Sequence, residues 1–268
     1  MPTSIAPLSL LASLLLGAGA LQAQGGGISY APGAHRYHVT STVTYVQEAG
    51  GRKAQMDIET QQQVSVMLLP HAGDTLAYAI QLDSIQVSSK PAVPIPDVKK
   101  YMGLMAKGTM SRSGRVYSLA SSVDTTGDAA VQQFIEGLRH FLVAFPPNAK
   151  TGSSWADTIA TTASPNGQMV DSRTITTSRI AGDTTFNGQK AVLVTRSIAT
   201  TIKGTVNQAG QQFPVAGDGT GTASYYVSPS GVYLGSSVSQ KMTITSTGPD
   251  GNTHPIIQTA VSKTELMP

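Results

Sequence analysis

The sequence predicts a mainly β fold with minor α content: a curved antiparallel sheet or half-open barrel carrying two amphipathic helices. Three observations point there. Long stretches alternate apolar and polar residues with period two, the pattern of strands that bury one face. Charged residues make up only 12% of the 268, against about a quarter of an ordinary globular chain. Ser and Thr fill the deficit, and β-branched Thr suits a pleated surface. Turns rich in Gly and Pro punctuate the runs at hairpin intervals. With 40% hydrophobic residues a sizeable core is within reach, and β sandwiches or barrels of about 200–250 residues commonly form one unit.

The chain opens with an apolar run, IAPLSLLASLLL at residues 5–16, followed by the small-residue stretch GAGALQAQ. That order predicts a secretory signal peptide over 1–23, cleaved after Ala20 or Ala23, although the first positive side chain is Arg36. The run is shorter than the roughly 20 residues of a spanning helix. Residues 24–35 are expected as a flexible lead-in and 36–268 as a single β-rich domain, periplasmic or extracellular.

In the first strand Tyr37, Val39, Ser41, Val43 and Tyr45 share one face and His38, Thr40, Thr42 and Thr44 the other. The turn EAGGRK leads into a second strand with Met56, Ile58, Val64, Val66 and Leu68 at even positions, so a hairpin is expected. A third strand carries Leu76, Tyr78, Ile80 and Leu82, then Ile85 and Val87, and the parity slip near Asp83 predicts a bulge. Val98, Tyr101, Met102 and Met105 follow Asp97 at helical spacing, predicting a first helix over 97–107 with Asp97 as N-cap. Two short strands flank Ser113 and Gly114. Val131, Phe134, Ile135, Leu138, Phe141, Leu142 and Phe145 then form one stripe, predicting a second helix over 128–145 stopped by Pro146 and Pro147. From Thr151 the chain is again strand and turn, with Thr-rich runs, for about ten strands and two helices in all. SRSGRVYSL from Ser111 and SPSGVYLGS from Ser228 repeat a Ser-x-Ser-Gly turn entering an aromatic strand. One continuous curved sheet is preferred to two related halves.

Composition and motifs exclude several chemistries. There is no Cys, hence no disulfide, thiol nucleophile, Cys-ligated zinc, iron–sulfur cluster or lipid-modified cysteine. The five histidines, His35, His38, His71, His140 and His254, do not converge as zinc ligands by spacing. Asp57 and Glu59 share a strand face but alternate with Met56 and Ile58, so they are expected in water and not as a glycosidase pair. The Gly-x-Ser-x-Gly, Ser-x-x-Lys and His-Glu-x-x-His signatures are absent. GDGTG at 217–221 lacks the ending of a phosphate loop and is expected as a Gly-rich turn or bulge. No catalytic residue, metal or cofactor is assigned, and the chain is expected not to be an enzyme.

Lys90, Lys99, Lys100, Lys107, Arg112 and Arg115 face the single acid Asp97 between residues 84 and 123. The expected helix there is either packed on the sheet with its lysines in water or meets an anionic surface or acidic partner. Nucleic acid is disfavoured, because few aromatics interleave with the charges. Trp155, the lone tryptophan, opens a strand as a core plug or a ligand platform. An outer-membrane barrel is disfavoured by the 6% aromatic content, too low for two girdles.

The Pro-Pro then Gly-Ser-x-Trp strand entry (FPPNAKTGSSW) and the Gly-Thr-x-x-Tyr-Tyr strand turning through Ser-Gly (GTASYYVSPSGVYLG) resemble those of uncharacterised exported bacterial domains. Those are similar in turn to the half-barrel lipid and lipoprotein carriers of the LolA and LppX kind. The resemblance covers most of the mature chain as a pattern of elements. It implies a curved sheet around helices or an apolar ligand, with Trp155, Tyr225, Tyr226 and Gly231 as structural positions. The expected function is an exported protein binding a lipid or other hydrophobic ligand, or an envelope component. The alternative is a structural or protein-interaction module of the envelope. Tyr101, Met102, Met105, Phe134, Leu138 and Trp155 are the candidate ligand contacts.

Overall fold

The computed structural model describes residues 28–49, 52–93, 98–122, 129–163, 169–208, 211–247 and 253–268. Eleven strands and one α-helix follow in the order β1 (Gly33–Ala49), β2 (Arg52–Pro70), β3 (Thr75–Lys90), β4 (Met105–Ser111), β5 (Val116–Ser121), α1 (Ala129–Arg139), β6 (Ser154–Ala163), β7 (Met169–Phe186), β8 (Gln189–Gln208), β9 (Gln211–Val227), β10 (Tyr233–Thr247) and β11 (Thr253–Leu266). They form one sheet ordered β5-β4-β3-β2-β1-β11-β10-β9-β8-β7-β6. Every neighbouring pair is antiparallel. The sheet curves without closing, so β5 and β6 are its two edges. β1–β5 and β6–β10 are two meanders laid side by side in the same sense, with β11 pairing between β1 and β10. One continuous sheet thus accommodates the repeated turn motif.

The alternation in sequence becomes inside and outside. Tyr37, Val39, Ser41 and Val43 of β1 are buried, as are Ile58, Val64, Val66 and Leu68 of β2 and Leu76, Tyr78, Ile80 and Leu82 of β3. The expected bulge is present: Gln63 lies opposite Ser84 and Val64 opposite Leu82, leaving Asp83 as the extra residue. An extra residue inverts the parity beyond it, so Ile85 rejoins the packed face.

The concave face is plugged by α1 and the chain after it. Val131, Ile135, Leu138, Phe141, Leu142, Val143 and Phe145 are buried in the same cluster as the strand residues. Buried aromatics knit this end of the molecule together. The Tyr37 ring meets Phe141 at 5.5 Å and Tyr233 at 5.2 Å. The Tyr78 hydroxyl donates to Leu138 O at 3.2 Å and the Tyr37 hydroxyl to Tyr233 O at 3.3 Å. Ile28 and Tyr30, in the stretch expected as a lead-in, are buried in this core. Their backbone crosses the strand ends: Tyr30 N–H donates to Arg112 O and Ala31 N–H to Gly231 O, tying the β4–β5 turn to the β9–β10 turn.

Those two turns are built alike, as their shared sequence implied. In each, the first Ser hydroxyl contacts the second, at 2.9 Å for Ser111 and Ser113 and 2.8 Å for Ser228 and Ser230. The same first hydroxyl accepts the N–H four residues on, from Arg115 and from Val232. Gly114 and Gly231 take φ of 92° and 88°, a region glycine enters at no steric cost.

Three expectations are corrected. The helix over 97–107 does not form. Lys99–Tyr101 is a single 3-10 turn, Gly103 follows at φ 76°, and Met105 begins β4, paired with Gln81 of β3. Ladder pairing with a long strand outweighs a helical spacing spanning only two turns; the Asp97 cap lies outside the described residues. The helix over 128–145 ends at Arg139, so Phe141 to Phe145 reach the core from an irregular segment. That leaves one short helix where two were expected. The eleven strands among the described residues agree with the roughly ten expected, but GDGTG lies inside β9, where its glycines face β10 and not a turn.

Candidate ligand-binding cavity

A cavity of about 220 Å³ opens on the concave side where the two sheet edges approach each other. Its roof is the end of α1 and the segment after it, contributing Arg139, His140, Leu142 and Val143. Gly114, Arg115 and Val116 border it from the β5 side, and Trp155, Asp157 and Ile159 from β6. The floor is the inner face of β7–β10, with Thr174, Thr176, Arg196, Ile198, Tyr225 and Gln240. All these floor residues except Tyr225 and Gln240 sit at even positions of β7 and β8, the parity that also buries Ile180 and Val194.

Apolar and polar surface meet here. Trp155 packs against Phe145, ring centroids 5.6 Å apart. Arg196 lies over the Tyr225 ring, its guanidinium carbon 5.1 Å from the centroid, and its Nε–H donates to Ser178 Oγ at 2.8 Å. Thr174 and Thr200, both buried, share a hydrogen bond of 3.1 Å. Gln240 Nε2 donates to Thr200 Oγ1 at 3.1 Å. Burial holds the His140 imidazole below its ordinary pKa, opposed by Glu136 and Asp157 and reinforced by Arg139 and Arg196. Arg139 is occupied by Glu136 at 2.8 and 3.0 Å.

The six candidate contacts do not converge. Only Trp155 lines this cavity. Leu138 is 7% exposed and belongs to the core. The Tyr101 and Phe134 rings meet at a tilt with centroids 5.4 Å apart, both packed against that core. Met102 is 50% exposed. Met105 borders a different groove on the outer face, with Met67, Gln81 and the C-terminal residues. Arg196, Gln240 and Asp157 were passed over, yet parity marks them: Arg196 falls between Val194 and Ile198 in an alternating strand, and Asp157 between Trp155 and Ile159. A charge at an inward position was the available signal.

Comparison with known proteins adds little. No protein-family model matches the chain and no curated protein matches it. Two solved structures are similar in outline. One is described as an outer membrane lipoprotein-sorting protein domain from Vibrio parahaemolyticus, 7% identical over 86% of this chain and 83% of that one, TM-score 0.20. The other is a DUF1329 family protein from Desulfovibrio piger, 8% identical over the same shares, TM-score 0.17. Among the described residues no helix is long and apolar enough to cross a membrane.

Proposed function

We propose that the protein is an exported, non-enzymatic carrier that holds a hydrophobic ligand on the concave face of its open sheet. The observation that supports this most directly is the cavity between the Leu142–Val143 roof and the β6–β8 wall, where Trp155, Ile159 and Ile198 present apolar surface. Small-molecule sites are concave, mostly apolar and equipped with a few placed polar groups. Export rests on the apolar run at residues 5–16 and the small residues after it, which lie outside the described residues. The resemblance to half-barrel carriers points the same way.

The test is uptake of an apolar fluorescent probe, N-phenyl-1-naphthylamine, by protein prepared without detergent. The carrier reading expects saturable enhancement of probe emission with energy transfer from Trp155, the lone tryptophan. No enhancement by folded protein removes that reading. The β6 edge, which pairs with no further strand among the described residues, favours the interaction-module alternative, since an open edge accepts an added strand. A folded protein that ignores the probe but binds an envelope protein through β6 would establish that alternative.

A further inference from the structure

Resting on the carrier reading, we propose that the cavity takes a single-chain amphiphile by its acidic end, with Arg196 receiving a carboxylate or phosphate ester and Trp155 and Ile159 lining the path of the alkyl chain. Arg196 projects from the inner face of β8 into the cavity, part-buried, between the apolar Val194 and Ile198. Drawing a guanidinium out of water is costly unless something compensates it. Its contacts in the described residues are neutral: the Ser178 hydroxyl and the face of Tyr225. No carboxylate among the described residues lies within ion-pair range of it, whereas Arg36, Arg112 and Arg139 each have one.

The charge balance of the lining agrees. Arg115, Arg139 and Arg196 border the cavity against the single carboxylate of Asp157, whose Oδ1 accepts the Thr158 N–H at 2.8 Å. Arg139 is already paired with Glu136. Arg115 is exposed to solvent, which leaves Arg196 as the part-buried cation placed to meet an incoming anion, and a guanidinium fork matches carboxylate and phosphate oxygens. Gln240 and Thr176 on the same floor supply further polar partners.

The rest of the lining selects what carries the anion. Across the floor, Trp155 lies opposite Ser178 and Ser178 opposite Arg196. Two strand spacings, roughly 10 Å, thus separate the backbone positions of Trp155 and Arg196 on one face of the sheet. A free inorganic anion would have no use for that apolar flank. The 220 Å³ volume is below the range of about 300–1,000 Å³ typical of small-molecule pockets. It has room for a head group with the first part of one chain.

Trp155 emission is the readout, titrated in detergent-free, full-chain protein with decanoate, decyl phosphate, decanol and inorganic phosphate below micellar concentrations. Decanoate and decyl phosphate are expected to bind at least about tenfold tighter than decanol, the scale of a charge-assisted hydrogen bond. Arg196→Gln removes that advantage, bringing the decanoate-to-decanol affinity ratio down to about one. Arg196→Lys, which keeps the charge, retains part of it and serves if the glutamine variant is misfolded by near-ultraviolet circular dichroism. Equal binding of decanoate and decanol, or an advantage indifferent to both variants, overturns the acidic-end assignment while the carrier reading stands on probe uptake. Inorganic phosphate binding as tightly as decyl phosphate overturns it in favour of a small-anion site. Absence of any response, with no probe uptake either, removes both.

Discussion

Tyrosine is where single residues decide how this molecule responds to its surroundings. Tyr30, Tyr37, Tyr78, Tyr225 and Tyr233 are all buried to about 2% exposure or less. Burial pushes each phenol above its ordinary pKa of 10.0, because a phenolate there would be stripped of water. The linkage follows in sign. Above pH 10 the unfolded chain releases phenolic protons that the folded chain keeps, so unfolding becomes easier as pH rises. Stability from these groups is complete below pH 10 and declines from there upward. Phenolate absorbance in an alkaline titration should show these five tyrosines ionising together, coincident with loss of the near-ultraviolet circular dichroism signal. Independent ionisation while the fold persists would contradict their burial. The aromatic positions were legible in sequence, since Tyr37 and Tyr78 share parity with buried Val39 and Ile80. Their partners were not, because Tyr78 reaches Leu138 across 60 residues of chain.

At the scale of elements, strands announced themselves and the helices did not. Period-two patterning located the strands and even the bulge at Asp83, since a single extra residue reverses which side chains are apolar and inward. The 97–107 segment misled because Tyr101, Met102 and Met105 imitate helical spacing, while Gly103 in the left-handed region and β3 as a ladder partner favour a turn and a strand. GDGTG misled for a related reason: glycine in a strand marks a close backbone approach as readily as a turn. A Cβ on Gly217, Gly219 or Gly221 would lie 2.6–2.7 Å from a carbonyl oxygen of β10. The three alternate along the inner face of β9, so they let the sheet bend tightly where β9 meets β10. Gly219→Ala, forced against Lys241 O at 2.7 Å and Met242 Cα at 3.0 Å, is expected to cost about 1–3 kcal/mol, the usual range for overpacking. Urea denaturation measures it. An alanine variant as stable as the parent would mean the strip is spacing and not a bend.

The whole molecule is an open sheet of eleven strands whose edges are kept apart by a plug. α1 and the Phe141–Phe145 segment fill the concave side where a closed barrel would have side chains from every strand, and the cavity is what the plug leaves beside β6. That arrangement explains why the binding surface was only partly legible. The sequence marks which face of a strand points inward, but the juxtaposition of Arg196, Trp155 and Val143 is set by strand order and by an irregular segment without periodicity. The proposed carrier function is tested most directly by native mass spectrometry, with solvent extraction, of protein purified from its native host without detergent. The expected result is a reproducible added mass that extracts as a single-chain acidic amphiphile and is depleted in Arg196→Gln protein. A clean apo mass from folded protein, unchanged after incubation with decanoate, would contradict it and leave the concave face as an ordinary core.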